Sequence, residues 1–175
     1  MMRFGILVLS LFLILVVAGS SYSGESRIEL STLSGVWEGE GTYVLPFTGI
    51  PTTVDANGIL KYDSTSGILH TRFTAERFMI KYSDSGRMSY LKGSDSLKWD
   101  VWNSFGYFVR YKGKSEGKQI HGRQKMRKYT YDLFLELVTN DSIEIKVTTT
   151  DNEGESSERI TGYLRRTESK KESKQ

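Results

Sequence analysis

The 175-residue sequence contains no cysteine, which excludes disulfide bonds, cysteine-ligated metals, thiol nucleophiles and lipid attachment through cysteine. It has only two prolines, but it holds 17 glycines, ten tyrosines, eight phenylalanines and three tryptophans. This combination is typical of a β-rich globular domain and not of a disordered chain. The fold must therefore be stabilised by its own apolar core.

The chain also lacks a strong charge of either sign, since its formal net charge is +3. This bias is too small to indicate nucleic-acid binding, and we expect no nucleic-acid partner. Catalytic motifs such as G-x-S-x-G and phosphate-binding glycine loops are missing, so we expect a non-enzymatic protein. His70 and His121 have no second histidine or carboxylate at ligand spacing, so we expect no metal and no cofactor. Haem held by a single histidine, as in some barrel proteins, is the alternative.

Long apolar runs are missing except at the N terminus, in MMRFGILVLSLFLILVVAGS. Arg3 precedes an apolar run from Ile6 to Val17, and small residues follow it up to Ser20. This layout predicts a signal peptide over residues 1–20, cleaved after Ser20. The run is shorter than the roughly 20 residues of a spanning helix, which favours cleavage over the alternative of an uncleaved anchor. The predicted signal peptide indicates an exported protein. Since the chain has no cysteine and therefore no disulfides, we expect a bacterial protein that is either periplasmic or secreted.

Short strands and tight turns fill the sequence from Leu33 to about Leu164. In DSIEIKVTTT, the apolar residues Ile143, Ile145 and Val147 alternate with polar ones, which is the period of a strand with one buried face. The preceding TNDS segment has the composition of a hairpin turn. The same signals predict strands near residues 36–44, 55–62, 67–75, 77–82, 87–92, 97–102, 105–112, 118–128, 131–138, 143–150 and 157–165, of which two are expected to merge.

Consecutive hairpins without crossover helices predict the fold class. We expect an all-β protein, a single antiparallel up-and-down β-barrel of 8–10 strands over residues 31–166, because closure removes exposed strand edges. A two-sheet sandwich is the alternative. A flexible leader over residues 21–30 and a disordered charged tail over residues 167–175 are expected to flank the barrel. We expect the protein to be a monomer.

The first and last predicted strands carry a family pattern. Gly35-Val36-Trp37 forms a G-x-W motif at the first strand, and the preceding STLS segment suits a short helical turn. Arg165 or Arg166, in the last strand, can lie over the face of the indole. In these features the chain resembles the lipocalin-like (calycin) superfamily, in particular its small, uncharacterised bacterial exported members. The resemblance implies a barrel that is closed at one end by Trp37 under one of these arginines.

The segment LKWDVWNSFGYFVRY is the aromatic centre of the sequence. Alternation places part of its side chains in the barrel lumen, where they either hold an apolar ligand or fill a closed core. Trp102 and Phe108 are expected on the outer face. The function hypothesis is an exported barrel that binds a small hydrophobic or amphipathic ligand in its lumen. The lumen-facing candidates for ligand binding, taken from this segment and two later strands, are Trp99, Val101, Phe105, Tyr107, Leu133, Leu135 and Ile145.

The segment KGKSEGKQIHGRQKMRK holds seven lysines and arginines against one glutamate. Arg123, Lys125 and Arg127 are expected on one face of a strand, as a basic ladder. Such a ladder suits an anionic lipid head group or another polyanion, whereas a solvated strand face is the alternative interpretation. The alternative function is an envelope or surface interaction protein with a filled core, which contacts an anionic partner through this basic face.

Overall fold

The computed structural model of the chain describes residues 27–44, 49–77, 80–104 and 106–167. The signal peptide predicted over 1–20, the first part of the leader, Phe105, and the tail beyond Thr167 lie outside the described residues. The leader was predicted to extend to residue 30, and this is wrong for its last residues. Ile28 and Leu30 are only 5% and 4% exposed, because they pack into the barrel core. Thr167, predicted to begin the tail, still pairs with Val36 in the barrel wall.

Ten antiparallel strands form a closed barrel, which confirms the predicted fold class. Each strand pairs with its neighbours in sequence, and the last strand pairs with the first. A 3₁₀ helix, Leu30–Leu33, precedes them. Within the described part of the chain, no helix is long and apolar enough to cross a bilayer. The strands are β1 (Gly35–Val44), β2 (Pro51–Asp63), β3 (Ile68–Arg77), β4 (Ile80–Tyr90), β5 (Ser96–Asn103), β6 (Phe108–Glu116), β7 (Gln119–Met126), β8 (Tyr129–Thr139), β9 (Ser142–Thr150) and β10 (Ser156–Thr167).

One end of the barrel is closed by Trp37, whose side chain is 0% exposed. Its indole Nε1 donates a hydrogen bond to the Leu33 carbonyl oxygen at 3.0 Å. The guanidinium of Arg166 lies over the indole, 4.5 Å from the ring centroid, whereas Arg165 lies over the exposed Tyr163. Of the two arginines left open by the sequence, the structure therefore places Arg166 on Trp37.

Strand β4 differs from the prediction, which divided it into two strands with a turn over Ser83–Gly86. The strand runs unbroken from Ile80 to Tyr90. Gly86 faces the lumen, where a Cβ atom would lie 2.6 Å from the indole nitrogen of Trp99. The glycine is therefore needed for close packing of a large ring and does not mark a turn.

The barrel interior near Trp37 is filled. Alternate residues of every strand point inward, and those near the closed end are almost completely buried. This filled half stabilises the scaffold, whereas several inward-facing side chains towards the opposite end are only partly buried. Its inward-facing side chains, together with those of the 3₁₀ helix, are Leu30, Leu33, Trp37, Leu60, Leu69, Met88, Leu97, Trp99, Ile120, Leu135, Ile143 and Leu164.

The backbone pairing in the wall is shortest between β6 and β7. Their pairing covers only Lys112–Glu116 and Gln119–Arg123, and the register ends before the open end of the barrel. Other neighbouring strands pair over longer stretches, for example Gly35–Val44 of β1 with Pro51–Leu60 of β2. The ends of β6 and β7 near the open end therefore diverge along a seam in the wall.

Candidate functional site

Most of the predicted lumen residues do face the interior. Trp99, Leu133 and Leu135 are buried in the core, and Val101 and Ile145 are partly buried against it. Their role in ligand binding stays a prediction.

Tyr107 was wrongly predicted to face the lumen, since it is 64% exposed. It lies in the connection before β6, where its backbone N–H donates to Asn103 Oδ1 at 3.0 Å and its carbonyl accepts from the Asn103 N–H. This turn interrupts the inward–outward alternation of β6. Counting back from β6 therefore assigns Tyr107 to the inward face, although its side chain is exposed.

Towards the barrel end opposite Trp37, several of the described inward-facing side chains are reached by solvent. Side chains there point inward, as shown by their register with buried neighbours, and yet remain partly exposed. Most of them are aromatic or aliphatic, which is typical of a site for an apolar ligand body. We call this region the open half and define it by Tyr43, Ala56, Phe73, Ala75, Tyr82, Val101, Val109, Tyr131, Ile145 and Ile160.

Aromatic rings connect the open half to the filled half. Tyr43 stacks on Tyr82 with ring centroids 6.3 Å apart, next to the mouth. Deeper in the lumen, the ring of Trp99 contacts those of Phe73 at 6.3 Å and Tyr111 at 6.4 Å. The floor of the open half is thus a cluster of rings that can pack against a ligand.

Asp84 is the only carboxylate that the described strands place at this level of the lumen. It lies on β4, level with Phe73 of β3 and Asn103 of β5. Its carboxyl group accepts a hydrogen bond from the Phe73 backbone N–H. The carboxyl oxygen Oδ1, in contrast, is shut off from solvent and has no hydrogen-bond partner among the described residues. A buried polar atom without a partner is costly, and among the described residues Asp84 Oδ1 shares this state with Thr149 Oγ1 and Arg166 Nε.

The electrostatics around Asp84 reflect burial without a neutralising cation. Burial raises the pKa of the Asp84 carboxyl group to about 7. Burial, together with the charge of Asp84, raises the pKa of Tyr111 to about 12 and that of Tyr82 still further. Both phenols therefore stay protonated near neutral pH, whereas Asp84 changes its charge there.

Two carboxylates on the outer face are paired differently. Asp100 accepts hydrogen bonds from Arg110 at 2.6 and 3.0 Å, and this guanidinium lowers the pKa of Asp100. Burial acts to raise the pKa of Asp132, but the hydrogen bonds from Arg123 and His121 outweigh it and lower that pKa. The outer carboxylates are thus matched to cations, unlike Asp84.

The predicted basic ladder is only partly formed. Arg123 binds Asp132 at 2.7 Å, and Lys125 is exposed on the outer face of β7. Arg127 was wrongly placed on this strand, since β7 ends at Met126 and Arg127 lies in the following turn with φ 55°. The strand face instead aligns Arg123 with Lys112 of β6, and Lys112 with Lys98 of β5.

Both histidines point away from the lumen. His70 is exposed on β3, between the inward-facing Leu69 and Thr71. His121 stacks on Phe134 with ring centroids 4.4 Å apart and lies 2.9 Å from Asp132. Among residues with described placement, no three His, Cys, Asp or Glu side chains converge on a metal position.

Sequence reasoning missed Asp84 because it placed this residue in a turn. The signal that could have found it is alternation: Tyr82, Asp84, Gly86 and Met88 share one face of a continuous β4. The composition of Ser83–Gly86 concealed this pattern, since serine, aspartate and glycine favour turns.

The sequence matches no protein-family model and no curated protein. Solved structures do share its fold. Rv2717c from M. tuberculosis is 12% identical with a TM-score of 0.60, covering 79% of this chain and 95% of that one. The S-type phycobiliprotein lyase CPES from Guillardia theta is 9% identical with a TM-score of 0.59, covering 84% and 96%. A DUF3598-family protein of unknown function from Nostoc punctiforme is 13% identical with a TM-score of 0.56, covering 86% of this chain and 53% of that one. The fold is that of the calycin-like barrels.

Proposed function

We propose that this protein is an exported, non-enzymatic barrel that binds a small amphipathic ligand in its open half. The observation that carries the proposal is the set of inward-facing aromatic and aliphatic side chains that solvent still reaches. Apolar side chains in such a position gain free energy when a ligand removes them from water. The fold shared with a phycobiliprotein lyase supports the proposal, though only at the level of the scaffold.

The filled half limits the ligand. Trp37, Leu60, Leu69 and their buried neighbours occupy the lumen below Trp99, so the ligand body must end at the ring floor. Its other end lies at the mouth, in contact with water. This arrangement favours a short molecule with one apolar and one polar part.

The test uses titration calorimetry with three decyl probes, decylamine, 1-decanol and decanoate, on the wild-type protein and on Ala75→Trp. Ala75 points into the open half, so an indole there occupies the ligand volume. We expect saturable binding of at least one probe by the wild type, and at least about a tenfold loss of affinity in Ala75→Trp. A bound probe also raises the melting temperature by mass action.

The matched control is Glu76→Trp, which adds the same side chain to the outer face of β3. This variant should bind within about twofold of the wild type, a difference well below 1.4 kcal/mol. The proposal fails if no probe binds saturably, or if Ala75→Trp binds as tightly as Glu76→Trp.

A second candidate function, contact with an anionic partner, is favoured by like charges on the outer wall. Lys98, Lys112 and Arg123 lie in register across β5, β6 and β7. Like charges directly opposite one another destabilise a sheet, and an anion relieves this repulsion. Asp100 and Asp132 offset part of it, since Lys98 lies 3.8 Å from Asp100 and Arg123 2.7 Å from Asp132.

The prediction for this second function concerns vesicles that contain phosphatidylglycerol, at low salt. Replacing Lys112, Arg123 and Lys125 by Ala should weaken vesicle binding about 100-fold, because each cation contributes about 1 kcal/mol near an anionic surface. The control replaces Lys61, Lys81 and Lys92, which leaves the same net charge and should bind more tightly than the first variant. Cosedimentation measures the vesicle binding of both variants. If both lose the same affinity, binding depends on net charge alone and not on this strand face.

A further inference from the structure

We propose that the ligand of the open half carries a protonated amine, and that Asp84 is the residue that binds it. This inference rests on the proposed function, because it assigns the chemistry of the ligand's polar group. It follows from three observations on Asp84: its position, its missing partner and its surroundings.

The position of Asp84 is inside the lumen, next to the open half. Its strand neighbours in register are Phe73 and Asn103, and all three share the inward face with Tyr82. A ligand whose apolar body packs on Phe73 and Tyr82 brings its polar group to this carboxylate. Outward-facing carboxylates such as Glu40 have no such access to the interior.

The missing partner is a cation or a hydrogen-bond donor. Oδ1 of Asp84 is closed to solvent and unbonded among the described residues, while the carboxyl group receives one backbone N–H, from Phe73. In contrast, the buried carboxylates of Asp100 and Asp132 each bind an arginine. An ammonium group would supply to Asp84 what arginine supplies to those two, a charge-assisted hydrogen bond.

The surroundings suit an amine on an apolar body. The rings of Phe73, Tyr82, Trp99 and Tyr111 lie around this level of the lumen. Aromatic faces attract a cation and pack against the carbon atoms next to it. A carboxylate ligand would instead meet the charge of Asp84 in a medium of low dielectric constant, where repulsion is strong.

Titration supports the same assignment. Among the described residues, the titratable groups that face Asp84 are Tyr82 on its own strand and Tyr111 on β6, whereas β3 and β5 present Phe73 and Asn103. Both phenols have a raised pKa and keep their protons below pH 9. Since the pKa of Asp84 is about 7, this carboxyl group alone in the cluster gains its charge between pH 5 and pH 8. Preference for an amine should therefore grow over that interval.

The experiment compares decylamine, 1-decanol and decanoate at pH 8, since these probes share one apolar chain and differ only in the head group. We expect the wild type to bind decylamine at least about tenfold more tightly than 1-decanol, and decanoate most weakly. Asp84→Asn keeps the size of the side chain and removes its charge. It should bind decylamine and 1-decanol within about threefold of each other, while 1-decanol affinity stays within about twofold of wild type.

Glu40→Gln serves as the control, because it removes one exposed carboxylate from the outer face and should keep the preference for the amine. At pH 5 the wild-type preference should fall towards that of Asp84→Asn. If 1-decanol or decanoate binds as tightly as decylamine, or if Asp84→Asn keeps the preference, the amine assignment is wrong and the open half remains a ligand site. If none of the probes binds, the assignment and the proposed function both fail.

Discussion

Trp37→Ala is expected to lower the free energy of unfolding by about 3–5 kcal/mol, the usual cost of removing a large aromatic side chain from a core. The indole is completely buried and packs beneath the 3₁₀ helix, whose Leu33 carbonyl it binds. Its loss leaves a cavity that Arg166 cannot fill, because the guanidinium is held by the carbonyl oxygens of Ser34, Thr32 and Asn140. Urea denaturation followed by circular dichroism measures the change.

Trp102→Ala is the matched control. Trp102 lies on the outer face of β5 and is 42% exposed, in contact with Phe108 and with Arg87 above its ring. Its removal should cost about 1 kcal/mol, because little apolar area returns to water. Equal losses of stability in the two variants would contradict the role of Trp37 as the closing residue.

Gly39→Ala is the second substitution with a large expected effect, a loss of about 3 kcal/mol or more. A Cβ atom at this position would lie 2.0 Å from the Tyr163 carbonyl oxygen and 3.0 Å from the Leu164 Cα. Both obstacles are backbone atoms of β10, so relief requires β1 and β10 to separate where the barrel closes. Overpacking in a core costs up to about 3 kcal/mol even where the neighbouring side chains can move, and here the neighbours are backbone atoms.

Gly162→Ala provides the comparison, on the partner strand. The atom nearest to a Cβ at Gly162 is the Glu40 carbonyl oxygen at 4.0 Å, which is an ordinary contact distance. We expect a change within about 1 kcal/mol, since the alanine also restricts the unfolded chain. Thermal denaturation of both variants checks the difference, and a stable Gly39→Ala protein would show that the close approach of the strands is not required.

The sequence predicted the architecture well because period-2 alternation reports directly on burial in a barrel wall. Leu133, Leu135 and Ile145 were assigned to the correct face, and the number of strands was within the predicted range. The closing indole was also found, through its motif. These features depend on local patterns that each strand carries by itself.

The candidate site was harder to predict from local patterns, since tertiary contacts determine which of its residues lie on strands. The turn expected at Ser83–Gly86 is a strand because Gly86 accommodates Trp99 from β5, a contact that local composition does not show. The true turn at Arg127 went unrecognised, because a left-handed arginine replaces the usual glycine or asparagine. Asp84 was therefore hidden, and Arg127 was counted on a strand.

The seam between β6 and β7 decides where the barrel wall can part most easily. Above Lys112 and Arg123 the two strands no longer share a backbone register, so parting them there breaks side-chain packing and not a ladder of hydrogen bonds. Tyr111, at the edge of this gap, also belongs to the ring floor beside Asp84. Separating the wall at this flank would therefore break fewer backbone hydrogen bonds than separating β1 from β2, which stay paired from Gly35 to Val44.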